Sequence, residues 1–594
     1  MKSIRNSLAA ILGLLLLANN SFAVTGWTNQ LGGALNDGVN WNTGVAPVSG
    51  EEMKFYEPAG SSLPNGLTLN LTLNANLTAG SWNDGYGRNV WNLDLAGFNL
   101  DLASGNNSGW TTTVSDQHST NTVTSSSGIG NVFARGLFLA GWNSLSLLEV
   151  KGANTRFTIQ TGTGDRVIQG TNRNSTAFDP GAWFKVSGGS MVTNKDAGYL
   201  VGSAAGTHGG IYLTDAGTVH YATNGATLYL GGYNAQASYA HNVASIGDLI
   251  ITNGAKWIMG QSASALTMGR EFGTIGNLKI TGSGSAFTNR QDGAGTARNF
   301  LGGKGQATIL IENGGSMGTP EGSYIGRGNV GGGAFDATAK TVMTIRDAGS
   351  TYVSGYWGGA IGGQGTGLVY VANGGKFTAN GGGAGALLGI GIDNSYTGNG
   401  TNYAAYGLLS VSNATSSAVV RNLTIGDKGT GKAEVMDGAL LQVTGLATNS
   451  SILMGRGNLT ISDASVTSVG GLTTSGTNSI AIEIGSKAHG LYYMTLAGDL
   501  TLGAAGADVT TLNITTAGDY VSAGFGSTIK LIDYNVKSGV FANIADGGVF
   551  VAAGDEFQLI YGAGDTYLTV IPEPASILLL LSGIVGAYKL RRRS

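Results

Sequence analysis

One short pattern recurs through the middle of the chain, and it narrows the possible folds more than any other feature. An apolar anchor stands at Val150, Val186, Leu213, Ile251, Ile280, Ile311, Ile345, Val371, Val411, Val435 and Ile461. The residue two positions earlier is apolar every time, from Leu148 and Phe184 to Leu459. Each unit therefore holds a strand of period two with one buried face. The residue two positions after the anchor is always Gly, Asn or Asp, as at Gly152, Asp215, Asn313 and Asp463. These residue types accept a left-handed backbone, so each strand should end in a tight corner. The next residue is always Gly, Ala or Ser, and a second apolar group follows, at Val219, Trp257, Phe287, Met317, Tyr352 and Phe377. Before each anchor, at variable distance, comes an apolar residue followed by glycine. Examples are Val201-Gly202, Met268-Gly269, Ile361-Gly362, Leu388-Gly389 and Ile425-Gly426, which reads as another strand and corner of the same unit.

The anchors lie 24 to 40 residues apart, about 31 on average. Short strands, a fixed corner and a connection of variable length fit the coils of an all-β parallel β-helix. A propeller would want four strands per unit and fewer blades, and the leucine spacing of a leucine-rich repeat is absent. The expected organisation is a signal peptide over 1–23, an N-terminal β cap over 24–60 and the repetitive solenoid over 61–485. Terminal coils and closing strands follow over 486–571, then a C-terminal segment over 572–594. In the cap, Trp27 and Trp41 would cover the exposed first rung. Composition agrees. Glycine makes up 102 of 594 residues, charged residues only 11%, and there is no cysteine. Stability must therefore come from backbone pairing and core burial, not from disulfides or thiolate metal sites. A hydrophobic content of 42% in regular register argues against disorder, and a net charge of −3 leaves no basic field for nucleic acid.

Both ends carry export signals. Lys2 and Arg5 precede an apolar stretch over 8–18 and the small-x-small site Ser21-Phe22-Ala23, which places cleavage between Ala23 and Val24; an uncleaved anchor is the alternative. At the other end, Pro572-Glu573-Pro574 concentrates two of the chain's seven prolines in an extended, accessible break. An uncharged run over 575–588 follows, then Lys589, Arg591, Arg592 and Arg593. As a helix that run reaches about 21 Å, short of a hydrocarbon core of about 30 Å. Snorkelling cations and local thinning make a short span feasible, with the cationic end cytoplasmic as a stop-transfer signal. Taken alone, the tail also reads as an ordinary anchor or as a buried helix with a basic end.

The order of Pro-Glu-Pro, short apolar run and arginine cluster resembles the PEP-CTERM sorting signal of Gram-negative bacteria. That resemblance implies that the chain is the substrate of an exosortase, a membrane transpeptidase, with Pro572, Glu573 and Pro574 as the recognised motif. It further implies transient anchoring in the inner membrane through a short transmembrane helix, then delivery to the cell surface or extracellular matrix, with a link to exopolysaccharide. The segment with Trp27, Asn40-Trp41-Asn42, Pro47 and Phe55 is similar to the opening of autotransporter-associated β-strand repeat proteins, which often carry such tails.

Residues for chemistry are scarce. His118, His208, His220, His241 and His489 form no ligand pair, and we read them as surface or loop histidines; no metal or cofactor is expected. The glycine runs at 363–367 and 383–385 complete no phosphate-binding motif. Asp215, Asp347, Asp437 and Asp463 share the corner register. They could line up as a calcium or lyase-like acidic edge, but Asn and Gly fill the same position as often, which is what a backbone corner needs. Glu51-Glu52 is the one adjacent glutamate pair, and its side chains should point to opposite sides of a strand. Trp257 and Tyr352 belong in the core by register, whereas Tyr356-Trp357 falls outside the pattern and is the better candidate for stacking on sugar. The expected function is non-enzymatic, a surface or matrix protein meeting exopolysaccharide or a cell-surface partner. A polysaccharide lyase or glycosidase on the same scaffold, or an array assembled end to end, are the alternatives.

Overall fold

The computed structural model describes residues 24–55, 66–83, 90–102, 110–114, 119–142, 146–159, 166–171, 182–195, 198–202, 206–223, 227–232, 245–260, 265–289, 299–319, 322–327, 339–355, 358–381, 386–392, 405–445, 452–485, 493–503, 508–518, 520–522, 524–552, 554–572, 581–585, 587–588 and 591. The chain divides into two units, residues 1–226 and 227–594. Both are all-β, and in both every third strand pairs in parallel, the arrangement of a β-solenoid.

In the first unit, Ser119–Thr124, Ser146–Lys151, Ala182–Ser187 and His208–Leu213 form one run of this pairing. Strands Gly130–Ala134, Thr155–Ile159, Met191–Lys195 and Val219–Thr223 form the second sheet. The third contains Leu137–Trp142, Arg166–Thr171 and Tyr199–Val201. Parallel pairing begins at Val24–Gly26, which pairs with Glu52–Lys54. Beneath these first coils lies an aromatic cluster. Trp27 and Trp41 meet edge to face at 5.0 Å, and Phe55 stacks on Trp82 at 4.1 Å. All four rings are buried.

The second unit repeats the cycle. Ile275–Thr281 is followed by a corner, Ala286–Asn289, a connection, Asn299–Leu301 and a second corner. The next strand, Gln306–Glu312, then lies in parallel register on Ile275–Thr281. We call the three faces the anchor sheet, the post-corner sheet and the third sheet. In the anchor sheet Ile251, Ile280, Ile311, Ile345, Val371, Val411, Val435 and Ile461 are direct cross-strand partners and form one buried aliphatic column. Burying a side chain of this size contributes about 1.5–3 kcal/mol relative to leaving it exposed. The parallel pattern ends with Val509–Thr516 on Thr477–Ile484, Thr528–Asp533 on Met494–Leu496 and Lys537–Ser538 on Leu500–Thr501. Thr528–Asp533, Val549–Ala552, Asp555–Tyr561 and Asp565–Ile571 then pair in antiparallel fashion.

All eleven expected corner residues have positive φ, from 43° at Asp463 to 98° at Gly152. Their corners come in two lengths, and over much of the chain the two alternate. In the short form Asn313-Gly314 are both left-handed and the next strand starts five residues after the anchor Ile311. In the long form Asp347 and Gly349 are left-handed, and the strand starts six residues after Ile345. The long corner's extra residue is a hydroxyl that caps the short corner of the preceding coil. Gly254, Gly314 and Gly374 donate their N–H groups to the Oγ atoms of Ser285, Ser350 and Ser416 at 2.9 to 3.0 Å. In the first unit Gly189 donates to Thr218 Oγ1 in the same way. All four hydroxyl residues are buried. A buried N–H without a partner is costly, so the alternation satisfies the backbone at its sharpest bends.

The extra residue also moves the inward position. After Leu213 the corner is the long form, so the group entering the core is His220, seven residues on, and not Val219, which is only partly buried. Phe287 and Tyr352 stand at the same offset from Ile280 and Ile345. Leu388-Gly389 is corrected as well. It lies inside the strand Leu387–Ile390, and the left-handed corner residue is Gly391.

Candidate functional site

The expected sorting residues fall largely outside the described residues. Val24 opens the first strand, while Ala23 lies outside. Pro572 directly follows the last strand, Asp565–Ile571; Glu573 and Pro574 lie outside. Residues 581–585, 587–588 and 591 are helical, with Leu581, Ile584, Val585 and Tyr588 exposed. Lys589, Arg592 and Arg593 lie outside, as do His118, His241, His489, Tyr356 and Trp357. Among the described residues no helix is long and apolar enough to cross a membrane.

The two described histidines overturn the surface reading. His208 and His220 are both buried. His220 sits among the inward side chains, its Nε2 at 2.8 Å from Tyr199 Oη and the rings edge to face at 5.3 Å. Burial drives its pKa from 6.5 down to about 3. It is a core histidine in a position that elsewhere holds Phe or Tyr.

Two of the corner aspartates bond the backbone. Asp215 Oδ2 accepts the N–H of Gly188 at 2.9 Å, and Asp347 Oδ2 that of Asn313 at 3.4 Å. Among the described residues no group of three or more His, Asp or Glu side chains is arranged to hold a metal ion. Glu51 Oε2 accepts from Thr25 Oγ1 at 3.2 Å and from the Val48 N–H at 3.0 Å. Glu52 pairs with Lys54 at 3.4 Å and accepts from Asn83 Nδ2 at 2.6 Å. Trp257 and Tyr352 are core side chains. On the outer face Glu312 lies between Lys279 Nζ and Arg346 Nε, each 3.0 Å away. Burial pushes its carboxyl up, but the hydrogen bonds from Arg346 and Lys279 outweigh this and hold it below the usual range.

One outward cluster was missed in the sequence. On the third sheet of the second unit, the middle residues of four successive strands are Tyr229, Thr267, Phe300 and Tyr324, paired across the ladder. Phe300 and Tyr324 stack at 5.9 Å with planes 7° apart. The guanidinium of Arg327 lies over both, 4.6 Å and 5.1 Å from their centroids. Arg270 lies 5.4 Å over Tyr229, and Lys304 5.3 Å over Phe272. The rings and cations are partly exposed. Part of the signal was available, since Phe300 and Tyr324 each precede an apolar-glycine pair that is followed by a cation, Lys304 and Arg327.

No family model matches the chain, and no curated protein matches it. Among solved structures it is similar to a TibC-catalysed hyper-glycosylated TibA fragment, at 14% identity and a TM-score of 0.19. The match covers 66% of this chain and 97% of that one. So loose a superposition carries no functional information.

Proposed function

We propose that this chain is an exported, non-enzymatic surface or matrix protein that presents a long polar face to extracellular polysaccharide. The observation that carries this reading is the segregation of side chains in the ladder. Inward positions form continuous apolar columns, while outward partners include polar runs such as Asp248, Asn277 and Thr308, or Glu434 and Thr460, interrupted in the middle coils by Val342, Leu368 and Leu408. A face that repeats at the strand spacing of about 4.8 Å suits an extended polymer better than a compact ligand.

The tail supports delivery. The last strand ends at Ile571, four residues before the apolar run, and the helical residues beyond expose their apolar side chains. In this reading the run at 575–588 is the short transmembrane helix, held by Lys589 and the arginines while an exosortase acts at Pro572-Glu573-Pro574. The test is to mix residues 24–571 with the exopolysaccharide of the producing cells and follow both by size-exclusion chromatography. Co-elution of protein with intact polymer supports the reading. Progressive shortening of the polymer replaces it with a lyase or glycosidase.

A further inference from the structure

The aromatic and cationic cluster of the third sheet has no part in holding the core. Its rings stand on the outward positions of Leu228–Leu230, Asn299–Leu301 and Ser323–Ile325, whose flanking residues face inward. Lys304 and Arg327 stand on the corners that follow the last two of these strands, and Arg270 on the equivalent corner after Leu266–Met268. The backbone stacks these corners tightly: Lys304 N donates to Arg270 O, and Arg327 N donates to Gly302 O, both at 3.1 Å. Arg270, Lys304 and Arg327 thus belong to three successive coils and rise with them along one edge. Glu271 pairs with Arg270 at 3.5 Å.

We propose that this edge binds an acidic polysaccharide, with Arg270, Lys304 and Arg327 meeting its carboxylates and the exposed margins of Tyr229, Phe300 and Tyr324 lying against its sugars. The proposal rests on the reading that the chain meets extracellular polysaccharide, and it adds the place and the chemical class. Three features carry it. The cations recur once per coil, about 4.8 Å apart along the stack, and a uronate polymer presents one carboxylate per sugar ring at a similar interval. Arg327 is already held over two ring faces, so less side-chain freedom is lost when its planar fork takes a carboxylate. The rings beneath the cations hold them in place and leave partly exposed apolar margins beside the charges, the mixture that fixes an amphipathic ligand in one orientation.

The test uses the full chain and native affinity electrophoresis in gels containing polygalacturonate, dextran or single-stranded DNA, at low and high salt. Retardation by polygalacturonate, absent with dextran and weakened by salt, is expected. Arg270→Gln combined with Arg327→Gln should weaken it severalfold. Lys376→Gln, which removes an exposed cation on the post-corner sheet, should leave it unchanged. Arg327→Lys keeps the charge and should fall between the two, and circular dichroism should show all variants folded. Unchanged retardation of the Arg270/Arg327 double variant overturns the site. Stronger retardation by DNA than by polygalacturonate overturns the ligand class. If the double variant still co-elutes with the producing cells' own polymer as wild type does, this site fails while the broader function stands; if wild type binds no polymer, both fail.

Discussion

Acidification should loosen the coils around His220, and the size of the effect follows from the structure. The ring is buried against Tyr199, and its pKa falls from 6.5 to about 3. The opened chain therefore binds a proton more readily than the folded one between those values. The stability contributed by the neutral ring is complete above pH 6.5. It is lost as pH falls, by about 1.4 kcal/mol per unit, until the folded pKa is reached. At pH 4.5 the loss is about 2.7 kcal/mol, close to a hundredfold in the opening equilibrium. Hydrogen exchange reads this locally, through the amides of Met191–Lys195 and Val219–Thr223 after correction for intrinsic rates. Wild type should lose about that much protection between pH 7 and pH 4.5. His220→Phe, which puts into this position the residue that Ile280's coil carries, should lose far less; carboxylate titrations common to both cancel in the difference. Equal losses in the two proteins would refute the reasoning, because they would mean that the folded state protonates His220 at an ordinary pH.

The remaining predictions concern the corners, the core and the outer face. Ser350→Ala removes the acceptor of the part-buried Gly314 N–H and should cost about 0.5–1.5 kcal/mol in urea unfolding. Gly362 has a φ of 70°, and a Cβ there would run into the carbonyl oxygen of Tyr406. Gly362→Ala should therefore cost at least about 1–3 kcal/mol and lower the thermal midpoint. Glu312→Gln deletes the bridge between Lys279 and Arg346. Because the folded carboxyl is held below its usual range, the stability it gives is present above the unfolded value and fades as pH falls. Glu312 is buried while its two partners are partly exposed, so the variant should lose about 1–3 kcal/mol at neutral pH, less in high salt, and its unfolding midpoint should vary less with acid. Ile309→Ala should cost about 2–5 kcal/mol, while Thr308→Ala on the opposite face of the same strand should stay within about 0.5 kcal/mol.

The sequence by itself determined the all-β, parallel-stacked architecture, the anchor columns and the position of each post-anchor corner from Gly152 to Asp463. These are local facts. Alternation sets which face is buried, and only Gly, Asn or Asp enters the left-handed region at little cost. What the tertiary structure decided depends on one coil lying on the next. Whether a corner is short or long shows only when Ser285, Ser350 and Ser416 are seen to cap the coil before them. That single residue of length turned His220 inward and Val219 outward, because a shift of one along a strand exchanges its two faces. The stacked rings, and most of the cations over them, are far apart in sequence, as Phe300 and Arg327 are. Only parallel stacking brings them within reach, which is why composition pointed to a polar surface and the structure located a place on it.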